Sequence, residues 1–141
     1  MLKVLSFLTL IIFFSYVKTA NASSYCFNKA GRAYGINPKL LYAVAKVESD
    51  FNPDAINYDG DGSYDYGVMQ INTVWYRVIK PYWNYLANPC YNIEMGAWIL
   101  KSCYKRYYKT VNALECYNSG KPHGDMDYAR KVYLAFRREG E

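Results

Sequence analysis

The 141-residue chain is 52% hydrophobic and 18% aromatic, with 17 Lys and Arg against 12 Asp and Glu and a formal net charge of +5. Its basic residues fall in local clusters at helical spacing, Lys105-Arg106 with Lys109, Arg130-Lys131 and Arg137-Arg138. These read as solvated faces, and without a recognition motif they exclude a nucleic-acid binder.

Met1 and Lys3 precede an apolar stretch from Val4 to Val17, followed by Lys18, Thr19 and the small-residue triplet Ala20-Asn21-Ala22. This is the pattern of a secretory signal peptide. The stretch is shorter than the ~20 residues a spanning helix needs, which argues against the alternative of an uncleaved anchor. The expected organisation is a signal peptide over residues 1–22 and a single domain over 23–141, long enough to bury one real core. Without Lys3 and Lys18 the exported part keeps 15 basic against 12 acidic residues, a net charge of +3.

Tyr25 to Tyr34 reads as a first helix ended by Gly35. Asn37 caps a second, with Pro38 in its first turn and Phe51-Asn52-Pro53 ending it. The apolar residues of this second helix are Leu40, Leu41, Val44 and Val47, and the stripe from Leu41 through Val44 runs on to Glu48. A carboxyl at the rim of a core loses water, which disfavours its charged form and raises its pKa. Two readings stay open: a general acid, or an edge carboxylate that reaches solvent or an Arg.

Asn57 to Tyr66, dense in Asp and Gly, reads as loop. Asp59-Gly60-Asp61-Gly62-Ser63-Tyr64-Asp65 spaces its oxygens as a calcium loop does, but Tyr64 stands where that loop needs Gly and Gln70 where it needs Glu, so no metal is expected. Trp75 to Trp83, interrupted by Pro81, reads as short irregular helix. Asn88-Pro89 begins a strong third helix whose Ile93, Gly96, Ala97, Leu100, Tyr104 and Tyr107 follow the helical period. This is the expected central helix, with Gly96 and Ala97 allowing another helix to approach. Thr110 starts a short helix to about Tyr117, and Asp125 or Asp127 a last one in which Tyr128, Val132 and Phe136 repeat every fourth residue. The fold class is mainly α, with little or no β-structure.

Cys26, Cys90, Cys103 and Cys116 all lie in the exported part, and an even number in an oxidising compartment predicts two disulfides. Of the three connectivities, spacing favours Cys103 with Cys116, which lie symmetrically about the polar break at Lys109-Thr110. A helical hairpin brings them face to face and leaves Cys26 for Cys90. Zinc is excluded, since no pair has finger-like spacing and the one histidine, His123, sits between Pro122 and Gly124 as a loop residue.

Glu48-Ser49, the run Gly67-Val68-Met69-Gln70-Ile71-Asn72 and Cys116-Tyr117-Asn118-Ser119-Gly120 resemble, in order and spacing, the three sequence blocks of the soluble lytic transglycosylase family, which has a lysozyme-like fold. The family pattern is Glu-Ser, Gly-Leu-Met-Gln and Ala-Tyr-Asn-Ala-Gly. This chain departs from it at Val68, Cys116 and Ser119. The early cysteine paired with that of Asn88-Pro89-Cys90, together with the small size, is similar to the peptidoglycan-remodelling enzymes of type III secretion, type IV pilus and conjugation systems.

The resemblance implies a disulfide-stapled, lysozyme-like helical domain, monomeric, periplasmic and without a cofactor. Its substrate would be the glycan strands of peptidoglycan, and its partners components of a secretion, pilus or conjugation apparatus. It makes Glu48 the acid and base that cleaves between N-acetylmuramic acid and N-acetylglucosamine. The muramic 6-hydroxyl attacks, so no water and no second carboxylate is needed. Tyr117 would hydrogen-bond Glu48, and Ser49, Met69, Gln70 and Asn118 would serve the substrate, the amides because sugars need donors and acceptors together. Two rivals remain: a lysozyme-type hydrolase with Asp61 or Asp65 activating water, and a non-catalytic wall-binding assembly protein.

Overall fold

The computed structural model describes residues 24–122 and 126–139; the expected signal peptide, His123 and Asp125 lie outside them. Among the described residues no helix is long and apolar enough to cross a membrane. Helix α1 covers residues 24–34 and buries Cys26, Phe27 and Ala30. Helix α2, Pro38–Ser49, starts where Asn37 Oδ1 accepts the Lys39 amide at 2.9 Å and stops where Asp50 and Phe51 turn left-handed, at φ 52° and 65°. A left-handed non-glycine residue costs roughly 1–2 kcal/mol, so the packed surroundings hold this stop in place. It leaves Glu48 in the last turn.

Helix α4, Pro89–Tyr107, is the hub. Asn88 Oδ1 caps it by accepting the amides of Cys90 and Tyr91 at 2.9 and 3.2 Å. Its buried face includes Asn92, Ile93, Met95, Gly96, Ala97, Ile99, Leu100 and Cys103. Helix α5, Thr110–Ser119, packs on α4, and α6, Asp127–Arg138, packs on α2 and α5. The close approach expected at Gly96 is made by a side chain instead of a helix. A Cβ there would stand 2.6 Å from Met69 Cε.

The stretch expected as loop from Asn57 to Tyr66 is instead a hairpin. Strands β1 (Ile56–Tyr58), β2 (Tyr64–Tyr66) and β3 (Ile71–Asn72) form an antiparallel sheet in that order, with Ile56 opposite Tyr66, Tyr58 opposite Tyr64 and Asp65 opposite Asn72. Strands of two or three residues carry no readable alternation, which is why pattern reading missed them. The turn closes through Asp59 and Ser63: the Asp59 amide donates to the Ser63 carbonyl at 2.9 Å, and Ser63 Oγ bonds the side chains of Asp59 and Asp61. After β3 the chain runs through a 3₁₀ turn at Thr73–Trp75, α3 (Tyr76–Ile79) and a second 3₁₀ stretch at Lys80–Ala87, in agreement with the irregular helix expected there.

Disulfides join Cys26 to Cys90, with Cα atoms 5.1 Å apart, and Cys103 to Cys116, at 5.8 Å. The first ties α1 to the start of α4 and the second closes the α4–α5 hairpin. Loop-closure entropy values them at about 4 and about 3 kcal/mol, the larger for the longer loop. Replacing Cys26 and Cys90 together by Ser should therefore cost more stability in urea unfolding than replacing Cys103 and Cys116. The reverse order would mean that strain or unfolded-state structure, and not loop length, sets the values.

Candidate functional site

A cleft of about 420 Å³ opens between the hairpin and α5. Glu48 enters it from the end of α2. Asp59, Asp61, Ser63 and Asp65 come from the hairpin, Gln70 and Asn72 from the segment that follows, Trp75 and Ile99 from beyond, and Tyr117, Asn118 and Ser119 from the end of α5. The sequence blocks at Glu48, Gln70 and Asn118, far apart in the chain, thus share one cleft. Ser49 and Met69 do not line it, contrary to the substrate-binding places expected for them.

Glu48 is half-buried. Burial pushes its carboxyl up to about 7; a hydrogen bond from Tyr128 opposes the rise and the charge of Asp65 adds to it. The bond is short, with the Tyr128 hydroxyl donating to Oε1 at 2.5 Å. Here the structure corrects an expectation. Tyr117 does not hydrogen-bond Glu48; its hydroxyl donates to the Met69 carbonyl at 2.7 Å. Burial first and the Glu48 charge second hold both phenols well above their usual pKa, so each stays a donor. Pattern reading took Tyr128 for a core position of α6, since it repeats with Val132 and Phe136. Its partner lies 80 residues away, and no local spacing reveals such a pair.

The other departures have one cause. The segment Gly67–Gln70 makes two left-handed turns, Gly67 at φ 79° and Gln70 at φ 47°, and must be held from outside. Asn92, wholly buried in α4, does most of this. Its Oδ1 accepts the Met69 amide at 2.8 Å, and its Nδ2 donates to the carbonyls of Tyr66 at 3.0 Å and Leu86 at 3.3 Å. A Cβ at Gly67 would stand 2.3 Å from Asn92 Nδ2, so only glycine fits there. Ser49 Oγ donates to the Val68 carbonyl at 2.8 Å and ties the end of α2 to the same segment. Met69 has no exposed surface and packs on Gly96.

Gln70 reaches the cleft wall, but its amide is spent inside the protein. Nε2 donates to the carbonyls of Gly67 at 2.8 Å and Ala55 at 3.2 Å, and Oε1 accepts from Asn57 Nδ2 at 2.6 Å. Its Nε2 protons are therefore engaged by the hairpin. Asn118, exposed on the wall, is the better placed amide for a ligand.

On the far wall Asn72 Nδ2 donates to Asp65 Oδ1 at 2.9 Å and Asp59 Oδ2 at 3.0 Å. Asp65 is itself raised, first by burial, with Asn72 opposing and Asp59 adding. Asp61 is lowered by its hydrogen bonds to Ser63. Among the described residues no group of His, Cys, Asp and Glu is arranged to hold a metal ion. Chemically, the cleft presents one half-buried carboxyl that can hold a proton near neutral pH, aimed by a phenol, opposite a carboxylate pair steadied by an amide.

The profile of the transglycosylase SLT domain matches residues 25–132. The invasion protein IagB of Salmonella typhimurium is 33% identical over 140 residues, covering 94% of this chain and 86% of that protein. A peptidoglycan-binding-like protein of Escherichia coli O157:H7 is 36% identical over 154 residues, covering 99% and 91%. The protein IpgF of Shigella flexneri is 33% identical over 122 residues, 80% of each chain. Among solved structures, an inactive mutant of the lytic transglycosylase Slt of Pseudomonas aeruginosa superposes with a TM-score of 0.64 at 19% identity, over 79% of this chain and 22% of that one. At that identity the likeness is one of fold, and the chain spans about a fifth of that enzyme. The chain belongs to the transglycosylase SLT family, the peptidoglycan lytic transglycosylases.

Two outcomes follow from the geometry. Asn92→Ala removes the partner of the buried Met69 amide and Leu86 carbonyl and of the half-buried Tyr66 carbonyl, at about 1–3 kcal/mol for each buried group left unpaired. Urea unfolding should show a loss of about 3 kcal/mol or more; a loss under about 1 kcal/mol would mean that the turn holds itself. Glu48 has a folded pKa above its unfolded value, so its charge costs the folded state nothing below pH about 4.5, an increasing amount as pH rises to about 7, and the full amount above. Glu48→Gln should thus be more stable than the wild type at pH 8, with the advantage fading by pH 4.5. An advantage independent of pH would place the Glu48 pKa at its unfolded value.

Proposed function

We propose that the protein is an exported, periplasmic enzyme that cleaves the β-1,4 bond between N-acetylmuramic acid and N-acetylglucosamine and leaves 1,6-anhydromuramic ends. Glu48 acts twice. As an acid it protonates the glycosidic oxygen while an oxocarbenium-like state forms; as a carboxylate it then takes the proton of the muramic 6-hydroxyl as that oxygen attacks the anomeric carbon. The nucleophile belongs to the substrate, so its effective concentration is high and water is not consumed.

The observation that carries this reading is the half-buried Glu48 carboxyl, raised to about 7 in the wall of the cleft and hydrogen-bonded by Tyr128. A group with that pKa is shared between its acid and base forms near neutral pH, which a residue that must serve as both requires. Tyr128 orients the carboxyl, and Asn118 meets the sugar from the opposite wall. Tyr117 and Gln70 act at one remove, the first by bracing the Met69 carbonyl and the second by bracing the hairpin. A role in opening the wall for a secretion, pilus or conjugation apparatus is supported by the resemblance carried by the Cys26–Cys90 pair and the small size, and by similarity to a protein named for invasion.

One observation favours a second reading. Asp65 lies across the same cleft, near enough for its charge to raise Glu48. In a hydrolase it would activate water opposite the acid. Its engagement with Asn72 favours a fixed wall instead.

Product analysis separates the two. Purified peptidoglycan digested with residues 23–141 should release muropeptides ending in anhydromuramic acid, one water lighter than hydrolysis products. Glu48→Gln should be inactive and folded, and Asp65→Asn should keep substantial activity with the same anhydro products. Hydrated ends from the wild type, with Asp65→Asn as inactive as Glu48→Gln, would make the enzyme a hydrolase.

A further inference from the structure

Glu115 is a buried acidic side chain that the cleft leaves unused. It is 2% exposed on α5, beside Cys116, and does not line the cleft. Burying such a group in a core costs several kcal/mol unless it is hydrogen-bonded, so its position calls for a reason. Its Oε1 accepts the Ala129 amide at 3.0 Å.

Ala129 is the third residue of α6, a helix with no side-chain cap of its own. The preceding Met126 is left-handed at φ 61° and contributes no side-chain bond. First-turn amides of a helix have no partner within it. One of these is met from α5, and the positive end of α6 favours an acidic group there. The residue immediately before Ala129 is Tyr128, whose hydroxyl meets Glu48. Glu115 is itself firmly based, since the adjoining Cys116 is bonded to Cys103 of α4.

The geometry points to Glu115 as a positioning residue for the reaction: by holding the first turn of α6 at the Ala129 amide, it sets where the Tyr128 hydroxyl meets Glu48. This rests on the reading of Glu48 as the proton donor. Glu48 is faced by Tyr128 from α6, Asp65 from β2 and, through its effect on that phenol, Tyr117 from α5; Tyr128 is faced by Glu48, Tyr117 and Glu115. The Tyr128 bond lowers the Glu48 pKa. Losing it raises that pKa and keeps Glu48 protonated to higher pH.

The test measures kcat, KM and the pH profile of glycan cleavage in Glu115→Leu, Glu115→Gln, Tyr128→Phe and the Glu115→Leu/Tyr128→Phe pair. Leu fills much of the space without an acceptor, whereas Gln keeps the acceptor. Glu115→Leu should lower kcat about tenfold with KM within about twofold, and should move the alkaline limb of the profile upward, as Tyr128→Phe does. Glu115→Gln should restore both, and the pair should be no slower than Tyr128→Phe alone, because both act through one contact. A Glu115→Leu enzyme that melts earlier but keeps kcat and profile overturns the proposal, as does full additivity of the two losses. Should Glu115→Leu not fold, Glu115→Ala carries the same expectations. If neither folds, Glu115→Gln decides: wild-type kcat and limb support the proposal and a shift in either overturns it. Activity retained in Glu48→Gln would instead remove the reading of Glu48 beneath it.

Discussion

The Gly67–Gln70 segment, to which the ends of α2 and α5 are both fastened, depends on one buried amide. The Asn92 side chain is wholly buried, and its amide meets three backbone groups: the Met69 amide and the carbonyls of Tyr66 and Leu86. A segment with left-handed residues at both Gly67 and Gln70 closes one backbone bond of its own, from the Gln70 amide to the Gly67 carbonyl at 3.1 Å. It leaves the Met69 amide to an outside partner, since an unpaired group in a core is costly. By meeting that amide from the central helix, Asn92 lets an irregular turn sit against α4 as tightly as a helix would. Gly67 and Gly96 are small for the same reason, one because Asn92 stands over it and the other because Met69 does.

That turn decides what the tyrosines can do. The Met69 carbonyl takes the Tyr117 hydroxyl, and Ser49 takes the Val68 carbonyl, so α5 and α2 are both fastened to it. With Tyr117 committed, the phenol that reaches Glu48 comes from α6. Two buried phenols and a carboxyl in one place divide the electrostatic roles cleanly. Burial holds the phenols protonated as donors, while the carboxyl, less deeply placed, titrates near 7. A half-buried acid with a raised pKa destabilises the fold whenever it ionises, and the two disulfides and the α4 core offset that loss.

Much of this was legible in the chain. Asn37-Pro38 and Asn88-Pro89 mark two helix starts through cap chemistry that acts within three residues, and the apolar period of α4 exposes its central place over five turns. Glu48 stands out because it interrupts a stripe. The hairpin was not legible, because its strands are too short to alternate and are held by pairing with one another and by Asn72. Met69 and Ser49 were misplaced for a related reason: a sequence block marks residues that belong together without saying which of them face outward. Among the partners of Glu48, Asp65 was visible within the nearby loop, while Tyr128 was hidden in a stripe that also had a packing explanation.

The sequence alone determined the helices, the bridged α4–α5 hairpin and the residue types of the site, since each follows from spacing, capping and composition within a short stretch. Tertiary structure alone decided which donor meets which acceptor. Tyr117 and Tyr128 are the same residue type on neighbouring helices, and their assignment to Met69 or Glu48 depends on the relative placement of α2, α5 and α6 to within an ångström. Hydrogen bonds fall off over that distance, whereas hydrophobic burial, which the pattern reports, does not say which acceptor a phenol meets.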